Sequence, residues 1–88
     1  MPSDQERLEE IRYAVRAHLY DRQGVSQSAG TIRRNLSREI RDLTDAEIED
    51  ACRLLVDLDQ VAIDTSELGS TRYYRITAAG ILAHERAR

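Results

Sequence analysis

Hydrophobic residues in the first part of the chain recur every three or four positions, which predicts an amphipathic helix. A capping-box pattern from Ser3 to Glu6 predicts where this helix starts. Gly24 is suited to a left-handed cap at its end. His18 flanks the apolar stripe, and we interpret it as a partly buried structural histidine. The stripe consists of Leu8, Ile11, Val15 and Leu19.

A second apolar stripe predicts another helix, which begins between Ser28 and Thr31 after a short candidate strand at 25–27. At 100° per residue its apolar positions share one side of the helix. They are Ala29, Ile32, Leu36 and Ile40. The opposite side and its flank are expected to carry Arg33, Arg34, Arg38 and Arg41.

The third helix has the clearest predicted start, because Thr44 and Glu47 form a second capping box. Its apolar stripe includes Cys52, which we therefore interpret as a small core residue and not as a nucleophile. The stripe consists of Ile48, Ala51, Cys52, Leu55 and Leu58.

The hydrophobic period changes to alternation at residues 61–65, and residues 71–77 are rich in β-forming side chains. With a turn at 66–70 between them, the two runs predict a β-hairpin. Its second strand is expected to turn Tyr74 and Ile76 towards the core, and Tyr73 and Arg75 outwards. A last short helix follows, capped by Thr77, passing through Ile81 and Leu82, and finishing in the charged tail 85–88.

Composition narrows the class of protein. The chain has 88 residues, 41% hydrophobic and 33% charged, which predicts one globular domain spanning 1–88. No apolar stretch is long enough to span a bilayer, and a cytoplasmic location is expected. One cysteine excludes an internal disulfide, and with two histidines it disfavours a zinc site. No phosphate-binding loop or nucleophile elbow is present, so we expect neither an enzyme nor a cofactor.

Two stretches resemble the winged helix-turn-helix superfamily. Residues 54–61 (LLVDLDQV) resemble the end of a third helix that runs into a wing. Residues 73–80 (YYRITAAG) are similar to the second wing strand and the following helix cap of MarR- and PadR-like regulators. The resemblance implies a mainly α fold with a small antiparallel β-hairpin: a winged helix with a three-helix core, a wing and a short C-terminal helix. In DNA-binding members the third helix enters the major groove and the wing contacts the backbone or minor groove.

The third helix departs from that family pattern because it is acidic. Residues 44–60 contain six acidic residues and one arginine. Such a face opposes binding to phosphates, whose neutralisation dominates affinity for DNA. The groove-facing side that the resemblance implies consists of Ala46, Glu49, Asp50, Arg53, Asp57 and Gln60.

Two hypotheses about function therefore stay open. In the first, the protein is a small DNA-associated transcriptional regulator, or a bacterial or phage accessory protein, that binds through arginines of the second helix and the wing. All thirteen basic residues are arginines, whose planar guanidinium suits phosphates. The predicted nucleic-acid-binding residues are Arg33, Arg34, Arg38, Arg41, Arg72, Arg75 and Tyr73.

In the second hypothesis the protein is an interaction module that docks a protein partner through the acidic third helix and does not bind DNA. Oppositely charged faces on one chain also permit head-to-tail self-association. A homodimer could instead form along Tyr13 and Tyr20, although the same residues could simply cover the edge of the core. The predicted protein-binding residues are Glu49, Asp50, Arg53 and Asp57.

Overall fold

Four helices and a small three-stranded antiparallel sheet make up the computed structural model, which describes residues 4–65, 69 and 71–87. The strand order is β1-β3-β2, so the short first strand pairs with the second strand of the hairpin. The elements are α1 (Asp4–Tyr20), β1 (Gln27–Ser28), α2 (Ala29–Leu36), α3 (Asp45–Asp57), β2 (Val61–Thr65), β3 (Arg72–Ile76) and α4 (Ala78–Ala87).

Helix α1 supplies the centre of the core through Ile11, Val15 and Leu19, which are fully buried as the periodicity predicts. Leu8 was wrongly assigned to this stripe, since its side chain is 48% exposed at the edge of a shallow depression beside α3. Gly24 has the expected positive φ of 83°. It lies in the turn after the helix, because α1 itself ends at Tyr20. The predicted capping box at Ser3 lies outside the described residues.

Helix α2 is shorter than its apolar stripe predicts. It begins after Ser28, whose hydroxyl accepts a hydrogen bond from the Thr31 amide, and it ends at Leu36. The Ser37 hydroxyl then donates to the Arg34 carbonyl, a local bond that competes with continued helix. Ile40 is buried as predicted, but it reaches the core from the turn that follows the helix.

Helix α3 has the predicted capping box: the Thr44 hydroxyl accepts from the Glu47 amide, and the Glu47 carboxylate accepts from the Thr44 amide. At its other end, the Asp59 amide donates to the Val56 carbonyl and the Gln60 amide to the Leu55 carbonyl. These two bonds form a Schellman motif with Asp59 in the left-handed region at φ 60°.

The buried face of α3 confirms most of its predicted stripe, since Ile48, Ala51, Cys52 and Leu55 all lie in the core. Leu58 was wrongly included. It is the C-terminal cap residue, outside the regular helix, and its side chain is 53% exposed.

The sheet confirms the predicted alternation of the hairpin. Ile63 pairs with Tyr74 between β2 and β3, and Gln27 of β1 pairs with Tyr74 on the other side. Tyr74 and Ile76 are buried while Tyr73 is 36% exposed, as expected for a strand with one face on the core. The candidate strand was predicted at 25–27, but pairing starts at Gln27. Most of the predicted turn at 66–70 lies outside the described residues.

Helix α4 begins at a close approach between two backbones. The Thr77 hydroxyl accepts from the Gly80 amide, which confirms the predicted cap, and the Thr77 amide donates to the Gln60 carbonyl at 3.0 Å. A Cβ atom on Gly80 would lie against that same Gln60 carbonyl and 2.7 Å from Cγ1 of Ile76. The helix continues through Ala87, beyond the predicted start of the charged tail.

Gly80→Ala is therefore expected to lower the free energy of unfolding by about 2 kcal/mol or more, because the added methyl group overlaps backbone that cannot move aside. Gly30→Ala is the matched control, since nothing lies within 4 Å of a Cβ there. That change should raise the stability by about 0.5 kcal/mol, because alanine loses less conformational entropy in a helix. Urea denaturation of both variants provides the measurement, and equal effects would contradict the packing described.

Candidate nucleic-acid interface

The face of α3 that points away from the core is exposed and largely acidic. Its side chains make few bonds with each other: Nη1 of Arg53 lies 3.9 Å from Oδ1 of Asp50, and the two side chains are 69% and 64% exposed. An ion pair this exposed contributes little to stability. The exposed residues of this face are Ala46, Glu49, Asp50, Arg53 and Asp57.

Gln60 was expected on the same face, and this assignment was wrong. Helix α3 ends at Asp57, and the Schellman motif turns the chain before Gln60. Its side chain contacts α1, where Oε1 accepts a hydrogen bond from Nη1 of Arg16 at 3.0 Å. Gln60 therefore holds the end of α3 against α1.

The hairpin exposes Arg72 on the same side of the molecule as the outward face of α3, whereas Arg75 is paired with a carboxylate of the hairpin itself. Arg72 is exposed at the start of β3. Nε of Arg75 lies 3.2 Å from Oδ2 of Asp64, which also accepts a hydrogen bond from the Ser26 hydroxyl. These bonds, first from Ser26 and then from Arg75, hold the pKa of the Asp64 carboxyl below its ordinary value. Arg75 is thus paired with a carboxylate of the hairpin.

A groove runs between α3 and the hairpin, made of two cavities that share Glu49, Arg72 and Tyr74. The larger cavity has a volume of about 570 Å³ and reaches the start of α2. The smaller, of about 210 Å³, continues towards the end of α3. The larger is lined by Ser28, Ala29, Gly30, Glu49, Thr71, Arg72 and Tyr74. The smaller is lined by Glu49, Arg53, Val56, Asp57, Ile63, Arg72 and Tyr74.

The arginines expected to form one face of the second helix are divided by the fold, so that arrangement was wrong. Nε of Arg33 is paired with Oδ1 of Asp45 at 2.5 Å, across the start of α3. Arg34 is exposed one turn after Gly30, which lines the groove. Because α2 ends at Leu36, Arg38 and Arg41 lie in the turn instead. Arg38 lines a different cleft, between that turn and α1.

The two tyrosines of α1 surround a histidine of α4. The rings of Tyr13 and Tyr20 lie 5.4 and 4.6 Å from the His84 ring, centroid to centroid. The Tyr20 hydroxyl donates to Oε1 of Glu85, and the Tyr20 side chain packs against the core, as the second interpretation of this residue expected. Tyr13 is 47% exposed. A dimer along these residues stays a prediction.

The remaining candidate residues for chemistry are structural. His18 is buried, and its Nε2 lies 2.6 Å from Oε1 of Gln27. Cys52 is fully buried, which confirms it as a core residue, and this burial raises the pKa of its thiol to about 12. Within residues 4–65, 69 and 71–87, no three His, Cys, Asp or Glu side chains are grouped to hold a metal ion. No helix of the described chain has both the length and the apolar character to cross a bilayer.

Comparison with solved structures identifies this arrangement of helices and strands. A PadR-like transcription factor from Bacteroides fragilis superposes with a TM-score of 0.76 at 19% identity, covering 94% of this chain and 81% of that one. SSV1 F-93 gives 0.66 at 20% identity over 86% of this chain and 79% of that one. The chain has the winged helix-turn-helix fold. Helices α2 and α3 are its helix-turn-helix, and the β2–β3 hairpin is its wing.

The winged helix also matches GAS PerR-Zn-Zn, with a TM-score of 0.60 at 19% identity over 86% of this chain and 44% of that one. No protein-family model matches the sequence. No curated protein matches it significantly either. At these identities the likeness concerns the fold.

The described residues of α2, α3, β2 and β3 carry nearly equal numbers of arginines and carboxylates. There are five arginines and six carboxylates, and three of each are joined in the Arg33–Asp45, Arg53–Asp50 and Arg75–Asp64 pairs. The arginines are Arg33, Arg34, Arg53, Arg72 and Arg75. The carboxylates are Asp45, Glu47, Glu49, Asp50, Asp57 and Asp64.

An ion pair that the sequence pattern does not reveal joins α3 of the winged helix to α1. Arg7 donates from Nε to Oε2 of Glu47 at 2.7 Å and from Nη2 to Oε1 at 3.0 Å. The same Nη2 lies 3.1 and 3.2 Å from the carbonyls of Arg41 and Asp42. Arg7 therefore holds both the turn before α3 and the first turn of α3, forty positions away in sequence. The capping box predicts a role for Glu47 at the start of α3, but no local sequence pattern predicts that Arg7 is its partner.

This ion pair should make stability depend on pH. The bonds from Arg7 hold the pKa of Glu47 below its ordinary value of 4.5, so the stabilisation is present above pH 4.5 and is lost as the pH falls through the lowered pKa. Wild type is expected to exceed Glu47→Gln in free energy of unfolding at neutral pH, with the difference shrinking below pH 4.5. Denaturant titrations across pH test this.

Glu39→Gln is the control, because Glu39 is exposed in the turn after α2 and belongs to none of the ion pairs found among the described residues. Its curve should follow that of wild type. A Glu47→Gln curve parallel to wild type at every pH would contradict the role assigned to Arg7.

Proposed function

We propose that this protein is a non-enzymatic DNA-binding regulator that sets the outward face of α3 in the major groove and contacts the backbone with the wing. The observation that carries this proposal is the groove itself, since α3 and Arg72 of the wing border it together and α2 begins at its end. A helix-turn-helix uses these same elements when it binds duplex DNA. The fold neighbours support the proposal, because one of them is described as a transcription factor.

The arginines available for phosphate are fewer than the sequence suggests. Arg33 and Arg75 already bind carboxylates within the chain, and Arg38 lines the cleft beside α1. Arg34, Arg53 and Arg72 remain on the groove side, and of these only Arg53 lies beside a carboxylate, in its exposed contact with Asp50 among the described residues. The part-exposed Tyr73 lies on the other face of the sheet from Arg72 and Tyr74. Three phosphate contacts imply a logarithmic salt slope of about −3, which is shallow for a DNA-binding protein. We therefore expect weak binding to random DNA and greater reliance on contacts made by α3.

Arg72→Gln is expected to weaken binding to a labelled random-sequence duplex several-fold and to reduce the salt slope by about 1, because one phosphate contact is removed. Arg34→Gln should act in the same direction. Arg38→Gln removes the same charge on the other side of the molecule and is expected to leave the slope unchanged. Fluorescence anisotropy at low and moderate salt measures all three variants.

The Arg38→Gln control tests whether DNA binds on the groove side of the molecule. An effect of Arg38→Gln equal to that of Arg72→Gln would overturn the assignment to the groove side. No binding of the wild type even at low salt would overturn the DNA-binding proposal itself and leave the second candidate function.

That second candidate is protein docking through the acidic face of α3, without physiological DNA binding. The observation that favours it is that the described residues of α2, α3, β2 and β3 carry six carboxylates against five arginines, so the elements that would meet DNA have no excess of positive charge. Glu49, Asp50 and Asp57 would then bind a basic partner, with Arg53 inside the same patch. Head-to-tail association is also compatible, since Arg38 lies beside α1 and away from this face. The cytoplasmic location, the bacterial or phage origin and the single domain over 1–88 stay predictions.

A further inference from the structure

Glu49 occupies the middle of the groove between α3 and the wing. It lines both cavities, and so does Arg72, which approaches from the wing. The residue is exposed on α3 and belongs to none of the four ion pairs found within residues 4–65, 69 and 71–87. Any molecule that fills the groove must therefore meet its carboxylate.

The charge of Glu49 affects the pKa values of the side chains beneath the groove. Burial raises the pKa of the Tyr74 phenol, the neighbouring Cys52 raises it as well, and a hydrogen bond from Arg72 acts in the opposite direction. The carboxylate of Glu49 adds a smaller increase. Glu49 also adds to the effect of burial in raising the pKa of Cys52. The groove thus holds two carboxylates, Glu49 and Asp57, and two arginines, Arg53 and Arg72, around a neutral floor.

A carboxylate in this position discriminates between DNA groups. It repels phosphate oxygens and the acceptor atoms of guanine and thymine. Adenine also offers an amino group, but the N7 acceptor beside it repels a carboxylate, whereas the amino group of cytosine has no acceptor beside it on the same base edge. Arg53 lies one helical turn further along the same exposed face, and arginine suits the paired acceptors of guanine. Glu49 and Arg53 therefore suit two adjacent positions of a DNA site, one that presents a hydrogen-bond donor and one that presents acceptors.

We propose that Glu49 is a specificity-determining residue, which accepts the amino group of one cytosine in the bound site and weakens binding to duplexes that place an acceptor there. This inference rests on the proposed DNA-binding function and names what the groove selects. The acidic residues that oppose non-specific binding then serve sequence discrimination. Glu49 weakens the attraction to phosphate at every DNA sequence, whereas its hydrogen bond with cytosine forms only at the matching sequence.

The test is selection of wild type and Glu49→Gln on a library of randomised duplexes, followed by sequencing and by affinity measurements on the enriched site. Wild type should prefer cytosine at one position by about fivefold or more over the other bases. Glu49→Gln should reduce that preference below about twofold, keep the preferences at other positions, and bind random duplex about threefold or more tightly. Since Glu49 is exposed, matching thermal unfolding curves should show that the variant is folded.

Glu39→Gln is the matched control, because it removes the same charge from the turn beside α1 and should select the wild-type site. If Glu49→Gln enriches the same site with the same preferences as wild type, the role of Glu49 is refuted while DNA binding stands. If wild type enriches no site and binds no duplex, the proposed function fails, and this inference fails with it.

Discussion

The contact between the Gln60 backbone and the start of α4 sets the relation between the third helix and the wing. The Gln60 carbonyl accepts from the Thr77 amide, the Asp59 carbonyl accepts from the Thr77 hydroxyl at 2.6 Å, and Gly80 leaves room for both chains to meet. This junction lies where α3 ends and β2 begins, so the third helix, the wing and α4 meet at one point of the backbone. Few side chains could replace Gly80 without moving the surface on which function is proposed.

Charge is distributed over that surface so that attraction to nucleic acid is restrained. The sequence predicts that Arg33 and Arg75 bind phosphate, but in the structure they form ion pairs with Asp45 and Asp64. What is left is a groove with Arg72 on one wall and Glu49 on the other. A surface of this kind is better suited to discriminating between ligands than to binding any polyanion tightly. A negative group of the ligand that lies next to one of the carboxylates is repelled.

Local signals account for what could be predicted and for what could not. Capping at Thr44, the buried stripe around Cys52 and the alternation at Tyr74 depend on neighbours within a few residues, and the structure confirms them. The errors occurred at the ends of elements. Leu58 fits the helical period but lies at the cap, and the apolar stripe through Ile40 continues where the backbone of α2 does not. Periodicity indicates most of the side chains that reach the core, as for Ile40, but it does not show where the helix itself stops.

The sequence by itself determined the order of helices and strands, most of the core positions and the acidity of the third helix, since these follow from spacing and composition. Tertiary structure alone decided which charges meet. Arg7 joins Glu47 across forty positions, Arg38 falls beside α1 instead of the groove, and Glu49 comes to face Arg72. The physical reason is that these relations depend on the turn at which α2 stops and on the junction between α3 and the wing, where a change of a few residues rotates an arginine from one surface of the molecule to another.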